Sequence, residues 1–207
     1  MAPQRDKEQT MQRLIDAVGT IIGREGFRNI GVNTVAKEAD VDKVLIYRYF
    51  GGLDGLLKAY AYQKDFWLNI DKLFGDIEPE RLNDMCYLKE ITKQILHGQL
   101  TEMRANKELQ EILIWELVER NNLTAQLAAD REEKGTGLTR LLSGKLGIAQ
   151  EVEPLIAIVI AGVTYLALRS RSDSHFNGVN ISSADGWGRI EEGLNKIVDL
   201  YFESLAK

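Results

Sequence analysis

The sequence predicts an all-α protein, and three observations carry that expectation. Apolar residues recur at intervals of three and four along most of the 207-residue chain, the spacing that lines one face of a helix. Only 3 prolines interrupt it, and the charged residues are spread along its length rather than collected into loops. No strand-rich region, internal repeat or low-complexity tract is present. Hydrophobic residues make up 44% of the chain and charged ones 28%, an ordinary globular balance with ample material for a buried core.

The first helix is expected over about residues 7–25. Met11, Leu14, Ile15, Val18, Ile21 and Ile22 supply its apolar face, Asp6 and Gln9 form a capping-box pair, and Gly26 stops it. Residues 32–50 read as two short helices joined by a tight turn at Asp40-Val41-Asp42 and closed by Gly51-Gly52. A fourth helix starts near Leu53 and runs through Trp67 to about Phe74, and Gly75 to Pro79 breaks the pattern. Further helices are expected at about 81–104, 107–120, 123–145, 153–171 and 185–205. Asn122 caps one of them and Pro154 sits in the first turn of another. Residues 172–184 are polar and glycine-containing and read as a loop.

The run Val41 to Phe50, VDKVLIYRYF, holds more apolar and aromatic residues than a two-turn helix can bury on one face. Val35, Ala36 and Ala39 give the preceding short helix an apolar face, with Ala36 small enough to let the second helix cross closely. Val41 plugs the turn, and Ile46 and Phe50, four apart, point inward together. Lys43, Val44, Leu45, Tyr47, Arg48 and Tyr49 are left on the outer arc. A DNA major groove suits such an arc: phosphates for Lys43, Tyr47 and Tyr49, thymine methyls for Leu45, and a guanine edge or a phosphate for Arg48. A protein partner is the alternative owner of an exposed apolar arc, which would make the chain a helical interaction adaptor.

The stretch NTVAKEADVDKVLIYRYFGGLDGLL resembles the DNA-binding signature of TetR-type transcriptional regulators. Val35-Ala36, Ala39, Val41, Ile46-Tyr47, Phe50 and Leu56 fall on that pattern, as do Gly26-Phe27 after the first helix. The sequence departs from it at five positions. Asp40 stands for the turn glycine, Asp42 for a Ser or Thr, Tyr49 for a His, Leu53 for a phosphate-binding Lys, and Gly31 for a capping Ser or Thr. Asp tolerates the left-handed backbone that the turn needs. The motif covers about residues 8–60; beyond it the likeness is of architecture.

The resemblance implies an N-terminal three-helix helix-turn-helix DNA-binding domain at 1–52, with its motif at about 31–50. A larger helical ligand-binding and dimerisation domain follows at 53–207. It implies that Asn33, Thr34 and the residues from Lys43 to Tyr49 approach DNA. It also implies a homodimer that meets a double-stranded, pseudo-palindromic operator at successive major grooves. In such a regulator, commonly a repressor, a small apolar or amphipathic molecule entering the C-terminal helices tilts the fourth helix and lowers operator affinity.

Two late helices suit the dimer. Residues 152–171 are apolar almost all round, and the last helix carries Ile190, Leu194, Ile197, Val198, Tyr201, Phe202 and Leu205 at helical spacing. Ile158, Ala161, Gly162 and Tyr165 of the first, with Ile190, Leu194, Ile197, Val198 and Tyr201 of the last, are the candidate interface. Both helices could equally be core of a monomer. Pocket candidates are Phe66, Trp67, Met85, Met103 and Trp115, with Gln94, His97, Glu116 and Asn121 as polar anchors. Each also has an ordinary packing or surface reading.

Catalytic and metal motifs are not expected. Two His and one Cys do not make a zinc cluster. Ser172 to His175 places Ser, Asp and His in one loop, whereas triads assemble from distant positions. Gly135-Thr136-Gly137 lacks the lysine of a phosphate loop. No enzyme activity and no cofactor are expected beyond an unidentified small-molecule effector. The single Cys86 favours a reducing compartment. The N-terminus has no apolar leader, and the apolar run from Leu155 to Leu168 is too short to span a bilayer. A cytoplasmic protein without a membrane partner is the expectation. Net charge is −5, yet residues 1–50 carry 8 Lys/Arg against 7 Asp/Glu, so the acidity belongs to the remainder.

Overall fold

The computed structural model describes residues 2–64, 77–118, 122–144 and 147–205. These residues form helices α1 (Ala2–Glu25), α2 (Val32–Glu38), α3 (Val44–Phe50), α4 (Leu53–Lys64), α5 (Met85–Ala105), α6 (Lys107–Val118), α7 (Asn122–Gly144), α8 (Ala149–Arg169) and α9 (Ala184–Leu205). Strands β1 (His175–Phe176) and β2 (Val179–Asn180) form the one sheet among them, and 3-10 turns lie at Phe27–Asn29 and Pro79–Arg81. The described residues are all-α apart from that short ladder. It divides into two compact units, residues 1–67 with 107–130, and 68–106 with 131–207. This differs from a sequential cut at residue 52, because α4 packs on α1 and α3, and α6 packs on α1.

The first unit is organised by the apolar face of α1. Leu14, Val18, Ile21 and Ile22 are fully buried, and Val35, Ile46 and Leu56 are buried equally completely. Burying side chains of this size contributes roughly 1.5–3 kcal/mol each. α1 begins at Ala2, five residues before the expected start. Asp6 lies inside the helix, where its carbonyl accepts a hydrogen bond from Thr10 Oγ1 at 2.7 Å, and Pro3 is tolerated because first-turn N–H groups have no helical partner. Gly26, at φ 78°, stops the helix as expected.

Backbone geometry at the α3–α4 join explains the glycines around Leu53. Gly51 caps α3 in the left-handed region at φ 76°, and Gly52 sits at φ 133°. A Cβ on Gly55 would stand 1.8 Å from the Phe50 carbonyl oxygen. These residues make a tight join possible rather than loosening it.

In the second unit Asp84 caps α5, its Oδ1 accepting from the N–H groups of Cys86 at 2.9 Å and Tyr87 at 3.2 Å. The Pro79–Arg81 turn precedes that cap, which moves the helix start from the expected 81 to 85. Ile77, Leu82, Leu88, Ile91, Ile95 and Leu138 form a core cluster against which Phe202 packs. α8 and α9 each pack on α5. α8 begins at Ala149, so Pro154 is its sixth residue and not a first-turn one; the missing N–H leaves one ladder position open there. The stretch Gln150–Arg169 has a mean hydropathy of 1.8 over 20 residues and is, by length and composition, long enough to cross a membrane. The length argument drawn from Leu155–Leu168 therefore does not hold.

The expected loop at 172–184 contains an antiparallel hairpin, with His175 opposite Asn180 and Phe176 opposite Val179. Asn177 and Gly178 turn it at φ 45° and 80°, the pair of positive values that a two-residue hairpin turn requires. Trp187, buried in α9, ties the segment down by donating from Nε1 to the Ile181 carbonyl at 2.7 Å. The helical expectations for residues 65–74 and 119–120 lie outside the described residues.

Two glycine substitutions should move stability in opposite directions. Gly55→Ala must push α3 from α4 and is expected to cost about 2 kcal/mol. Gly135→Ala, where an added Cβ meets nothing within 4 Å, should stabilise α7 by about 1 kcal/mol. Urea unfolding midpoints check both.

Candidate nucleic-acid interface

The candidate interface is the outer arc of α3. Seven residues give this helix two turns, so one buried side chain sets its rotation. Ile46 is that side chain: it is fully buried. The rotation leaves Lys43, Val44, Tyr47 and Arg48 exposed, with Val44 60% and Tyr47 57% accessible. Leu45 and Tyr49 are half-buried at the edge of the arc. Tyr49 lies under the ammonium of Lys7 at 5.5 Å. Phe50 and Val41, expected to point inward with Ile46, are only half-buried. On α2, Asn33 is exposed and Thr34 half-buried.

The turn between α2 and α3 is held from both sides. Asp40 adopts φ 51°, the left-handed conformation expected of it in place of glycine. The Arg13 guanidinium on α1 donates to the carbonyls of Ala39 and Asp40, the latter at 2.9 Å. Asp42 Oδ1 accepts the Val44 N–H at 2.8 Å, so this carboxylate is engaged at the start of α3. Arg24 reaches Glu38 with two hydrogen bonds of 3.2 and 2.8 Å, fastening the end of α1 to the end of α2. The Arg24 bond holds the Glu38 carboxyl below its ordinary pKa.

The head is also fastened to α6, within the same unit. Phe27 and Trp115 stack with ring centroids 4.0 Å apart at 13°. Tyr60 on α4 is buried, and its hydroxyl donates to Glu108 Oε2 at 2.6 Å. Burial first, then the Glu108 bond, pushes that phenol above its ordinary range. Gly19 keeps the spot open: a Cβ there would stand 3.1 Å from the Tyr60 ring.

The pocket candidates do not converge. Trp115 is used in the stack on Phe27, and Glu116 is half-buried on the same helix. Gln94 is exposed, Met103 is buried, Met85 is half-buried, and His97 Nε2 lies 3.0 Å from Asn195 Oδ1. Phe66, Trp67 and Asn121 lie outside the described residues. None of the described candidates lines the large groove of the second unit. That groove, of about 470 Å³, runs among α5, α7, α8 and α9. Its walls include five residues assigned in the sequence to the interface between subunits: Ile158, Leu194, Ile197, Val198 and Tyr201.

The interface candidates themselves divide. Ile158 is 71% accessible, and Ala161, Gly162, Tyr165 and Ile197 are exposed. Ile190 and Tyr201 are half-buried. Leu194 and Val198, at 7% and 6%, are buried within their own protomer and have little surface left for a second copy. Leu155 and Leu200, exposed beside the others, were not singled out by the sequence pattern.

Two short helices across a tight turn, packed on α1 and α4, define a helix-turn-helix unit. Residues 11–60 match the family model described as bacterial regulatory proteins, tetR family. A curated relative, the HTH-type transcriptional repressor SCO4008 of Streptomyces coelicolor, is 24% identical over 133 residues. That match spans 62% of this chain and 60% of the relative. In fold, the chain resembles the fatty acid degradation regulator FadR from Bacillus halodurans with a TM-score of 0.62 and 16% identity, over 91% of this chain and 94% of that one. The hemolysin II transcriptional regulator HlyIIR gives a TM-score of 0.52 at 16% identity, over 80% and 93%. Residues 11–60 thus carry the N-terminal signature of the tetR family of bacterial regulatory proteins.

Two predictions follow from the arc and its fastening. Ile46→Ala should cost about 2–5 kcal/mol in urea unfolding, whereas Tyr47→Ala should stay within about 0.5 kcal/mol of the parent. The lowered Glu38 pKa places its contribution to stability above the ordinary carboxylate pKa, to be lost as pH falls through the folded value. The stability gap between the parent and Glu38→Gln should therefore be widest near neutral pH and close on acidification toward pH 3, as read by urea midpoints across that range.

Proposed function

We propose that this protein is a homodimeric transcriptional repressor that leaves a pseudo-palindromic operator when a small apolar or amphipathic molecule binds. The observation that carries the reading is the outer arc of α3. Lys43, Val44, Tyr47 and Arg48 are held outward by the burial of Ile46. A helix with two cations, a phenol and apolar edges suits the major groove, where phosphates position and base edges specify. Lys43 and Tyr47 are assigned to phosphates and Arg48 to a phosphate or a guanine edge. Leu45 faces a thymine methyl, with Tyr49, Asn33 and Thr34 at the margin. The match of residues 11–60 to the tetR family model supports the reading, and the curated relative is itself a repressor.

The dimer is assigned to the exposed apolar faces of α8 and α9, through Leu155, Ile158, Tyr165, Ile197 and Leu200. A monomer leaving such a face to water would carry an apolar patch of the kind that marks an interface. Two copies related by a twofold axis place two α3 helices on successive major grooves. Effector binding shifts the protein toward an arrangement with lower operator affinity, and the shift is limited by the effector's differential affinity for the two arrangements. The protein acts by binding, not by catalysis.

The test is a gel-shift titration against duplex DNA from beside the protein's own gene, repeated over a range of salt. Phosphate contacts release counterions, so log affinity should fall linearly with log salt, by about 0.9 per contact. Replacing Tyr47 and Arg48 together by alanine should reduce affinity at least about a hundredfold while leaving the dimer intact. Affinity indifferent to salt, or a double variant that binds as the parent does, points instead to an adaptor whose arc takes a protein.

A further inference from the structure

Tyr49 is four residues from Leu45, so the two share one edge of the α3 arc, and both are half-buried there. What stands beyond that edge comes from another helix. Lys7 of α1 is exposed and holds its ammonium 5.5 Å from the centre of the Tyr49 ring. Arg13 and Arg24, further along α1, are employed inside the head. Arg13 donates to the carbonyls of Ala39 and Asp40, and Arg24 is paired with Glu25 and Glu38. Lys7 gives up neither its charge nor its donors. A ring face attracts an ammonium without neutralising it, and a lysine has three N–H groups to offer. Among the described residues no carboxylate lies within ion-pair distance of it. Asp6 and Glu8 flank it in the chain, but each is turned about 100° from it around the helix. The contact with Tyr49 therefore fixes where a full positive charge stands, just past the Leu45 and Tyr49 edge of the arc.

An α-helix with its side chains is about 10–12 Å across, and the major groove is about 12 Å wide. A helix seated there has base edges before its outer arc and a wall of phosphates along each side. A cation just past one edge of the arc meets the wall rather than the bases. We propose that Lys7 is a further DNA-contacting residue, which neutralises one backbone phosphate on the groove wall beside Tyr49, and that the Tyr49 ring is the platform that holds it there. Its ligand is a phosphodiester, so Lys7 contributes affinity and register without sequence preference. The net charge of −5 gives the chain no long-range attraction to DNA, so a cation placed at contact range carries weight. Lys7 has this role only if α3 reads DNA, and the contact rests on that reading. It lies on α1, outside the helix-turn-helix motif itself.

Full-length protein is titrated by fluorescence anisotropy over a range of salt, with duplex DNA from beside its own gene and with an unrelated duplex of equal length. Lys7→Gln should make the slope of log affinity against log salt shallower by about 0.9. It should weaken binding about five- to tenfold at roughly 0.1 M salt, and on both duplexes alike, so that their ratio is unchanged. Lys7→Arg keeps a cation over the ring and should retain the parent's slope. Lys196→Gln makes the same charge change on an exposed residue of α9 and should leave the slope where it is. With the platform removed, in Tyr49→Leu, the further change Lys7→Gln should cost less than it does in the parent. An unaltered slope in Lys7→Gln overturns the contact even if affinity falls, because a lysine that only braced Tyr49 would release no counterion of its own. A loss confined to the gene's own duplex assigns Lys7 to a base edge and overturns the phosphate. An equal change of slope in Lys196→Gln reduces the effect to net charge and overturns it as well. The full cost of Lys7→Gln persisting in Tyr49→Leu overturns the platform. A parent protein whose binding ignores salt sinks the reading of α3 itself, an outcome distinct from a salt-sensitive parent in which Lys7 is silent.

Discussion

The complete burial of one side chain, Ile46, on a helix that packs against α4 is the constraint on which the candidate interface depends. A helix of seven residues has little surface with which to define its own rotation. Once Ile46 is fixed inward, the positions at 43, 44, 47 and 48 have nowhere to go but out. Arg13 and Arg24 act on the same geometry from the polar side, holding the turn and the end of α2 to α1. Their contacts are exposed and modest individually; their value lies in fixing where the turn sits, while the apolar contacts supply the energy.

Electrostatics makes that geometry necessary. The chain carries a net charge of −5, so the molecule as a whole does not attract a polyanion. Affinity for DNA has to come from a few cations presented at close range. Asp42, whose carboxylate caps the Val44 N–H at the start of α3, adds a negative charge that these cations have to outweigh. The fastening of Phe27 to Trp115 and of Tyr60 to Glu108 further means that the reading head is not a freely hinged piece ending at residue 52. It includes α6, which follows α4 by more than 40 residues in the chain.

Much of this was legible in the sequence, for identifiable reasons. Helical periodicity located α1, α2, α3 and α9 because each has one apolar face and a glycine or aspartate at its border. The left-handed turn at Asp40 was readable because few side chains tolerate that backbone. Four features were less legible. The hairpin sits in a stretch whose polar composition reads as a loop, and only the Asn177-Gly178 pair marks its turn. Pro154 drew the start of α8 four residues too late, since proline at N1 is a preference and not a rule. The described pocket candidates do not line the groove of the second unit, because hydrophobicity alone does not say which of two apolar surfaces a residue joins: Trp115 stacks on Phe27. Tyr201 reads as an interface residue from its spacing, which says nothing of its hydroxyl, buried without a hydrogen-bond partner.

The account stands or falls on whether α3 from two subunits reads a duplex. Hydroxyl-radical footprinting of the DNA flanking the gene, with purified protein, is the direct measurement. The account predicts two protected patches related by a dyad and separated by about one helical turn, both lost when Tyr47 and Arg48 are replaced by alanine. Protection that is absent from every flanking sequence, or that survives the double replacement unchanged, would contradict it.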